Sequence, residues 1–360
     1  MGNQRLKALD GIRGGAAVIV AFFWHYKSFF GTEKPFHVIG YWPYNFGWIM
    51  VDLFFVLSGF IFYTIYGKQI RENKLDVKSF LVLRLSRLYP LHFLTLCIVC
   101  IFGVLQHCFV NIYIYNGYTY RMYDFIINIV MAQNGWFTTN YSFNAPSWSI
   151  SIEFMLYLLF FYIFYNSGDA KKYIANSIII IYFGAVIYLS KLSMPFFNSQ
   201  TARGLMGFFI GIITGELYNY FNKNTKYKKT ALLICGIGVI ATTLVPSIIG
   251  YSKFKGWELI TASVLFPSFI FIVLNSKFLS KILSIKPLVY LGELSYSIYL
   301  LHYPAVLVIR NINNQFDLSL DYSSNIFYIA YFTGVIIISH ISHYCFENPL
   351  QNYLRVKLIN

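Results

Sequence analysis

LDGIRGGAAVIVAFFWHY, Leu9 to Tyr26, is the first strongly apolar run of a 360-residue chain, and it holds two side chains that hydrocarbon disfavours. Arg13 stands where the run begins and His25 near its end, separated by small and aliphatic residues that finish in Phe22, Phe23 and Trp24. An ionisable residue inside an apolar helix is costly, so by default it marks a functional site. Twelve helical steps rise about 18 Å, which sets Arg13 and His25 toward opposite sides of a hydrocarbon layer. A long, thin ligand held at one end can then react at the other.

The rest of the chain has the same character. It is 57% hydrophobic and 20% aromatic with 12% charged residues, and its mean hydropathy is +0.56. Soluble chains carry about a quarter charged residues, so an all-α, polytopic membrane helix bundle is expected. Runs suited to spans are Gly14 to Phe30, Phe46 to Tyr66, Leu88 to His107, Ser147 to Tyr165, Tyr173 to Leu189, Arg203 to Phe221, Ala231 to Ile249, Trp257 to Asn275, Leu288 to Arg310 and Asn325 to Cys345. Tyr123 to Phe137 is weaker, short for a span and interrupted by Asn128, Gln133 and Asn134. No Gly/Ser-rich or Pro-rich linker divides the chain, so residues 1–360 read as one transmembrane domain, without a fused extracytoplasmic domain.

The net charge of +14 raises nucleic acid as a partner, but the basic residues fall in short gaps between apolar runs. They fit the positive-inside bias instead. Gly67 to Arg87, Asn222 to Thr230 and Ser276 to Pro287 are the basic linkers and should be cytoplasmic, whereas Asn311 to Ser324 has no Lys or Arg and carries Asp317 and Asp321. These sides agree only if Tyr123 to Phe137 does not cross, which gives about ten spans and two cytoplasmic termini. That run should lie along the surface or re-enter between helices, its polar backbone covered by protein. Arg5 and Lys7 precede the first apolar run without a convincing cleavage site after it, so the run reads as a retained span. The five cysteines mostly fall in apolar runs, and Cys97 and Cys100 read as small core residues; neither a metal site nor a disulfide is expected.

Several polar stretches stand out against this background. On the cytoplasmic side are Arg13 and the pair Arg84 and Arg87 in RLSRLYP, whose i, i+3 spacing presents two guanidinium forks suited to phosphate, or to ordinary lipid-headgroup anchoring. Toward the outer side come His25, Asp52 in GWIMVDLFFVLSGF and Glu153 in NAPSWSISIEF. An imidazole and two carboxylates at similar depth make a candidate acid/base cluster, with a structural hydrogen-bond network as the alternative. Asn144 can cap a helix with Pro146 in its first turn, and Ser149 and Glu153 share a face, so free N–H groups there could steady an oxyanion. LGELSYSIYLLHYP carries Glu293, Ser295, Tyr296 and His302, and HISHYCFENP carries His340, His343 and Glu347. Outer aromatics, among them Tyr41, Trp42, Tyr44, Trp48, Tyr113, Tyr115, Tyr118 and Trp136, suit an interfacial belt or sugar stacking.

Together these strings resemble acyltransferase family 3, membrane proteins that O-acylate sugars and other envelope acceptors. The carriers are LDGIRG with His25, GWIMVDLFFVLSGF around Asp52, Arg84 and Arg87 with Tyr89 and Pro90, PSWSISIEF with Trp148 and Glu153, LGELSYSIYLLHYP with His302, and ENP at Glu347 to Pro349. The resemblance implies about ten spans, cytoplasmic acyl-CoA as co-substrate with no tightly bound cofactor, and an acceptor hydroxyl on the outer side. It also implies functional roles for Arg13, His25, Arg84 and Arg87. Family members commonly place that Arg and His eleven steps apart, against twelve here. The extra residue would rotate His25 by about 100° on a regular helix, so a one-residue π-bulge, or a kink near Gly14 and Gly15, is expected to restore the alignment.

The resulting expectation is a multi-pass O-acyltransferase of the bacterial cytoplasmic membrane, moving acetyl from acetyl-CoA or another acyl-CoA to a cell-envelope or lipid-linked glycan. Arg13, Arg84 and Arg87 would bind the CoA phosphates. His25 would be general base, oriented by Asp52 or Glu153, with Ser149 at the oxyanion and Trp148, Tyr296 and His302 toward the acceptor. The rival is a transporter or flippase of a lipid-linked sugar, which equally needs buried charge; the chain shows no internal repeat of the kind many transporters have.

Overall fold

The computed structural model describes residues 3–108, 118–250 and 256–359. Tyr113, Tyr115 and the side chain of Cys108 lie outside the described residues. Among those described, strand is limited to one antiparallel pair, Ser193–Met194 with Phe197–Asn198. Seven helical stretches are long and apolar enough to cross a membrane: Gly40–Arg71, Val77–Leu105, Ala145–Asn166, Ala170–Ser190, Thr225–Ile248, Trp257–Asn275 and Asn325–Ile359. Helices also occupy the three other expected spans. The first runs from Asn3–Ile19 through Val20–Trp24 into His25–Phe30; the others are Ser199–Lys223 and Ser295–Phe316. These three carry Arg13 and His25, Arg203 and Glu216, and His302 and Arg310, which lowers their apolarity.

The weak run Tyr123 to Phe137 forms only the eight-residue helix Met122–Ile129 and then irregular chain. Eight residues rise about 12 Å, too little to cross hydrocarbon. The polar groups of this segment are covered by protein: Asp124, Asn128, Gln133, Asn134, Ser142 and Asn144 are all buried. At its start Arg121 bonds the buried Asp124 at 2.8 Å, and that hydrogen bond raises the guanidinium's pKa.

The helices sort into two units, each assembled from three separate stretches of chain: Met1–Arg13, Ile49–Leu75 and Met155–Tyr290 in one; Gly14–Trp48, Asp76–Phe154 and Leu291–Asn360 in the other. The first is built on the crossing of Met50–Phe62 with Ser199–Lys223. A Cβ on Gly59 would lie 1.8 Å from the Phe208 carbonyl oxygen, and one on Gly211 2.1 Å from that of Val56, so the backbones touch where only glycine fits. Along the same seam Arg203 clamps Asp52 with two bonds of 2.9 Å, and the hydroxyls of Tyr63 and Tyr173 both donate to Glu216 Oε2.

The second unit packs 14–30 against Asn325–Ile341 through aromatic rings, and Ser295–Phe316 lies against the same helix, where the Tyr331 hydroxyl donates to the His302 carbonyl. Phe22, Tyr26 and Phe30 meet Phe327, Tyr328 and Tyr331 at centroid distances of 5.0 to 6.5 Å between neighbouring rings. Asn348–Ile359 lies along Val77–Cys108. Its approach is set by buried Glu347, whose Oε1 accepts from Ser297 and Ser342, each at 2.7 Å.

Candidate active site

The first helix does not run regularly to His25. Val20–Trp24 is a π turn, wider by one residue than an α turn, and it lies between Arg13 and His25. Of the two expected devices, a π-bulge or a kink near Gly14 and Gly15, the π-bulge is present, next to the histidine. Such turns are rare and recur at functional positions because they re-aim the side chains beyond them.

His25 Nδ1 lies 2.7 Å from Nε2 of His302, with the rings within 10° of parallel, and the Phe29 ring packs against both imidazoles at centroid distances of 5.2 and 6.2 Å. His302 is fully buried, and its Nδ1 lies 3.1 Å from the Ile298 carbonyl oxygen. A carbonyl only accepts, so His302 carries its proton on Nδ1 and in the neutral ring presents a lone pair at Nε2. His25 must then donate from Nδ1, which leaves the lone pair on His25 Nε2. The chain Ile298 carbonyl, His302, His25 thus fixes the tautomer in which His25 can take a proton from a hydroxyl.

Pro304 and His302 lie in one helix, Ser295–Phe316, and further contacts hold it at this level. Ser149 Oγ donates to the Tyr299 hydroxyl at 3.0 Å, and the Tyr299 ring is 6.0 Å from that of His302. Asn144 Nδ2 donates to the Leu300 carbonyl at 2.9 Å. Asn144 precedes the turn Ala145–Ser147 as expected, with Pro146 in that turn, but its side chain makes no cap because its amide is turned to Leu300. Trp148 is buried and Glu153 half-buried on the next helix, Trp148–Asn166.

Three of the expected residues have partners that the sequence did not indicate. Asp52 is not hydrogen-bonded to an imidazole; both its oxygens are taken by Arg203. The side chain hydrogen-bonded to His25 is His302, which the sequence pattern had suggested for the acceptor side. Tyr296 donates its hydroxyl to the Leu88 carbonyl as a helix-to-helix tie, and the tyrosine beside the histidines is Tyr299. Tyr299 sits one turn before His302, and i, i+3 spacing is the signal that could have found it.

Arg13 faces Asp10 at 3.8 Å. Arg84 and Arg87 share the helix Val77–Cys108, Arg84 buried and Arg87 exposed. Arg355 reaches the same turn, donating from Nε to Ser86 Oγ and from Nη2 to the Leu83 carbonyl, both at 3.3 Å. That brings a third guanidinium beside the pair, from the opposite end of the sequence. Among the described residues no three His, Cys, Asp or Glu side chains are grouped to hold a metal ion.

The chain is similar to several known proteins. The chain is 26% identical over 336 residues to the peptidoglycan O-acetyltransferase OatA of Listeria monocytogenes, covering 84% of this chain and 50% of that protein. It is 25% identical over 373 residues to the O-acetyltransferase OatA of Staphylococcus aureus, covering 96% and 57%. A shorter match, 37% over 101 residues, covers 28% of this chain and 47% of protein 2 of the picA locus of Rhizobium radiobacter. The chain therefore spans about half the length of these curated relatives. No solved structure matches it significantly. Residues 6–344 match the acyltransferase domain of the family that the sequence motifs resemble, and the chain belongs to acyltransferase family 3.

Proposed function

We propose that the protein is an integral membrane O-acetyltransferase that moves acetyl from cytoplasmic acetyl-CoA to a hydroxyl of a cell-envelope glycan. The observation that carries this reading is the carbonyl–His302–His25 chain, which leaves a basic nitrogen on His25 Nε2. Support comes also from the two relatives named as O-acetyltransferases, one of them of peptidoglycan. Arg84 and Arg87, joined by Arg355, hold the CoA phosphates by planar, charge-assisted hydrogen bonds. The pantetheine arm then reaches the thioester toward His25.

In the transfer step the acceptor oxygen attacks the thioester carbon while its proton passes to His25 Nε2. His302 accepts from Nδ1 of the resulting imidazolium and so stabilises it. The tetrahedral oxyanion is steadied at the start of the Trp148–Asn166 helix, where Ser149 and Tyr299 meet. It collapses by breaking the C–S bond, and the proton returns from His25 to the CoA sulfur. Trp148 and Glu153, within a turn or so of Ser149, lie on the acceptor's side in this reading. Ten spans, cytoplasmic termini and the bacterial cytoplasmic membrane complete it.

The test is transfer of labelled acetyl from acetyl-CoA into envelope polysaccharide by membranes holding the wild type, His25→Ala or His302→Gln. Loss of a general base costs roughly 10²–10⁴-fold, so His25→Ala is expected at background. His302→Gln should fall in the same direction by a smaller factor. Transfer by His25→Ala at the wild-type rate would overturn the assignment; no transfer by any form, with protein present and several acyl-CoA donors tried, would favour a transporter.

A further inference from the structure

The segment 128–144 holds polar groups that the acyl-transfer step does not use. Four of its side-chain amide oxygens, Asn128 Oδ1, Gln133 Oε1, Asn134 Oδ1 and Asn144 Oδ1, are buried and make no hydrogen bond. All four residues are at most 3% exposed. The nitrogen end of each amide is engaged: Asn128 with the Asp124 carbonyl and Ser142 Oγ, Gln133 with the Ser147 carbonyl and Oγ, Asn134 with the Thr139 carbonyl, and Asn144 with the Leu300 carbonyl. Because a backbone carbonyl accepts in every case, the amides cannot be turned over to hide their oxygens. Buried polar atoms are ordinarily bonded, so each of these oxygens calls for a partner that the chain itself does not supply.

That partner has to donate. The oxygens carry partial negative charge, which disfavours an anion and suits a neutral molecule with several O–H or N–H groups. Two of them are tied to the candidate site. Gln133 bonds Ser147 Oγ at 3.1 Å, the Ser147 N–H bonds the Asn144 carbonyl at 2.8 Å, and Asn144 bonds Leu300, two residues before His302. The geometry points to a sugar subsite in which Gln133 Oε1 and Asn144 Oδ1 accept hydrogen bonds from hydroxyl or acetamido groups of the acceptor, other than the hydroxyl acylated. This assignment rests on the acyl-transfer reading and adds to it the groups that choose the acceptor. In the sequence, Gln133 registers only as an interruption of an apolar run and Asn144 only as a cap.

The experiment uses the full chain in lipid vesicles with acetyl-CoA, an N-acetylglucosamine oligosaccharide and the set of its analogues that each lack one hydroxyl or the acetamido group. Gln133→Met and Asn144→Leu are each expected to raise the acceptor KM roughly 3- to 10-fold, the range for one neutral hydrogen bond. With the analogue lacking the bonded group, the variant and the wild type should have the same KM. A merely structural role for either amide would leave the variant's deficit identical across the whole set, and that result overturns the subsite. Should the variants fail to fold, the analogues on the wild type decide: one or more must show the same KM rise, and a flat series overturns the proposal. Acetyl-CoA hydrolysis that no sugar accelerates overturns the subsite alone, whereas absence of both hydrolysis and transfer overturns the acyl-transfer reading beneath it. A KM rise reproduced by chelator or by replacing sodium with choline assigns the oxygens to a cation and also overturns the proposal.

Discussion

Asp52 is a buried carboxylate in an apolar helix whose partner is a guanidinium. Its depth invites a catalytic reading, yet its two oxygens meet Nε and Nη2 of Arg203 in the fork geometry that pairs a guanidinium with a carboxylate. Side-chain exposures of 4% for Asp52 and 15% for Arg203 make this a largely desolvated pair. Removing one partner strands the other charge, so Asp52→Asn should destabilise the protein by about 3 kcal/mol, while Asp52→Leu with Arg203→Leu should recover most of that loss. Unfolding in detergent checks both numbers, and acetyl transfer checks the role. A stable but inactive double variant would return Asp52 to the chemistry. His25 was legible from the sequence because an imidazole in an apolar run has no cheap explanation. The partner of each charge was not, since Asp52 finds Arg203 across 151 residues and His25 finds His302 across 277. Pairings of that separation are set by packing, which local spacing does not encode.

At the scale of the helix, the extra residue between Arg13 and His25 was readable as a problem, and the chain answers it with the π turn Val20–Trp24. A π turn accommodates one additional residue without changing the phase of the helix beyond it. Deleting Ala21 should therefore close the turn to regular helix, keep His25 on its face and preserve at least about a tenth of the activity. Inserting an alanine after Trp24 should rotate His25 by about 100° away from His302 and reduce transfer to background. Acetyl transfer by the two variants, compared at equal expression, distinguishes phase from mere perturbation; equal losses would show that the wide turn matters in itself. The glycine seam of the other unit was less legible. Gly207, Gly211 and Gly215 recur every fourth residue, but nothing local says that the Met50–Phe62 backbone fills the groove they make. The segment Tyr123 to Phe137 was read from charge as non-crossing, and its helix Met122–Ile129 is only eight residues long, whereas the dense side-chain bonding there comes from burial of irregular backbone and has no periodic signature.

For the molecule as a whole the question is which helices cross. If only the seven most apolar stretches did, the linkers around Lys74 and Lys226 would fall on opposite sides, because the crossings between them would be Val77–Leu105, Ala145–Asn166 and Ala170–Ser190, three in number. Adding Ser199–Lys223 makes four and returns both basic linkers to one side, as the positive-inside bias requires. The cost of that crossing is Arg203 and Glu216 within the helix, and both are met inside their unit: Arg203 by Asp52, Glu216 by Tyr63 and Tyr173. Polar residues on a helix are compatible with a span when protein rather than lipid surrounds them. The same holds for Ser295–Phe316, where His302 is bonded to His25 and Arg310 donates to the Phe29 carbonyl. Ten crossings would therefore place Lys74 and Lys226 in the cytoplasm and Asp317 outside. Single cysteines at these three positions, in a background with the native cysteines replaced, should answer differently to a membrane-impermeant thiol reagent applied to intact cells. Asp317→Cys should label, and Lys74→Cys and Lys226→Cys should label only after the membrane is permeabilised. Labelling of one of the two lysine positions but not the other in intact cells would leave Ser199–Lys223 on one side of the bilayer and restore the count without it.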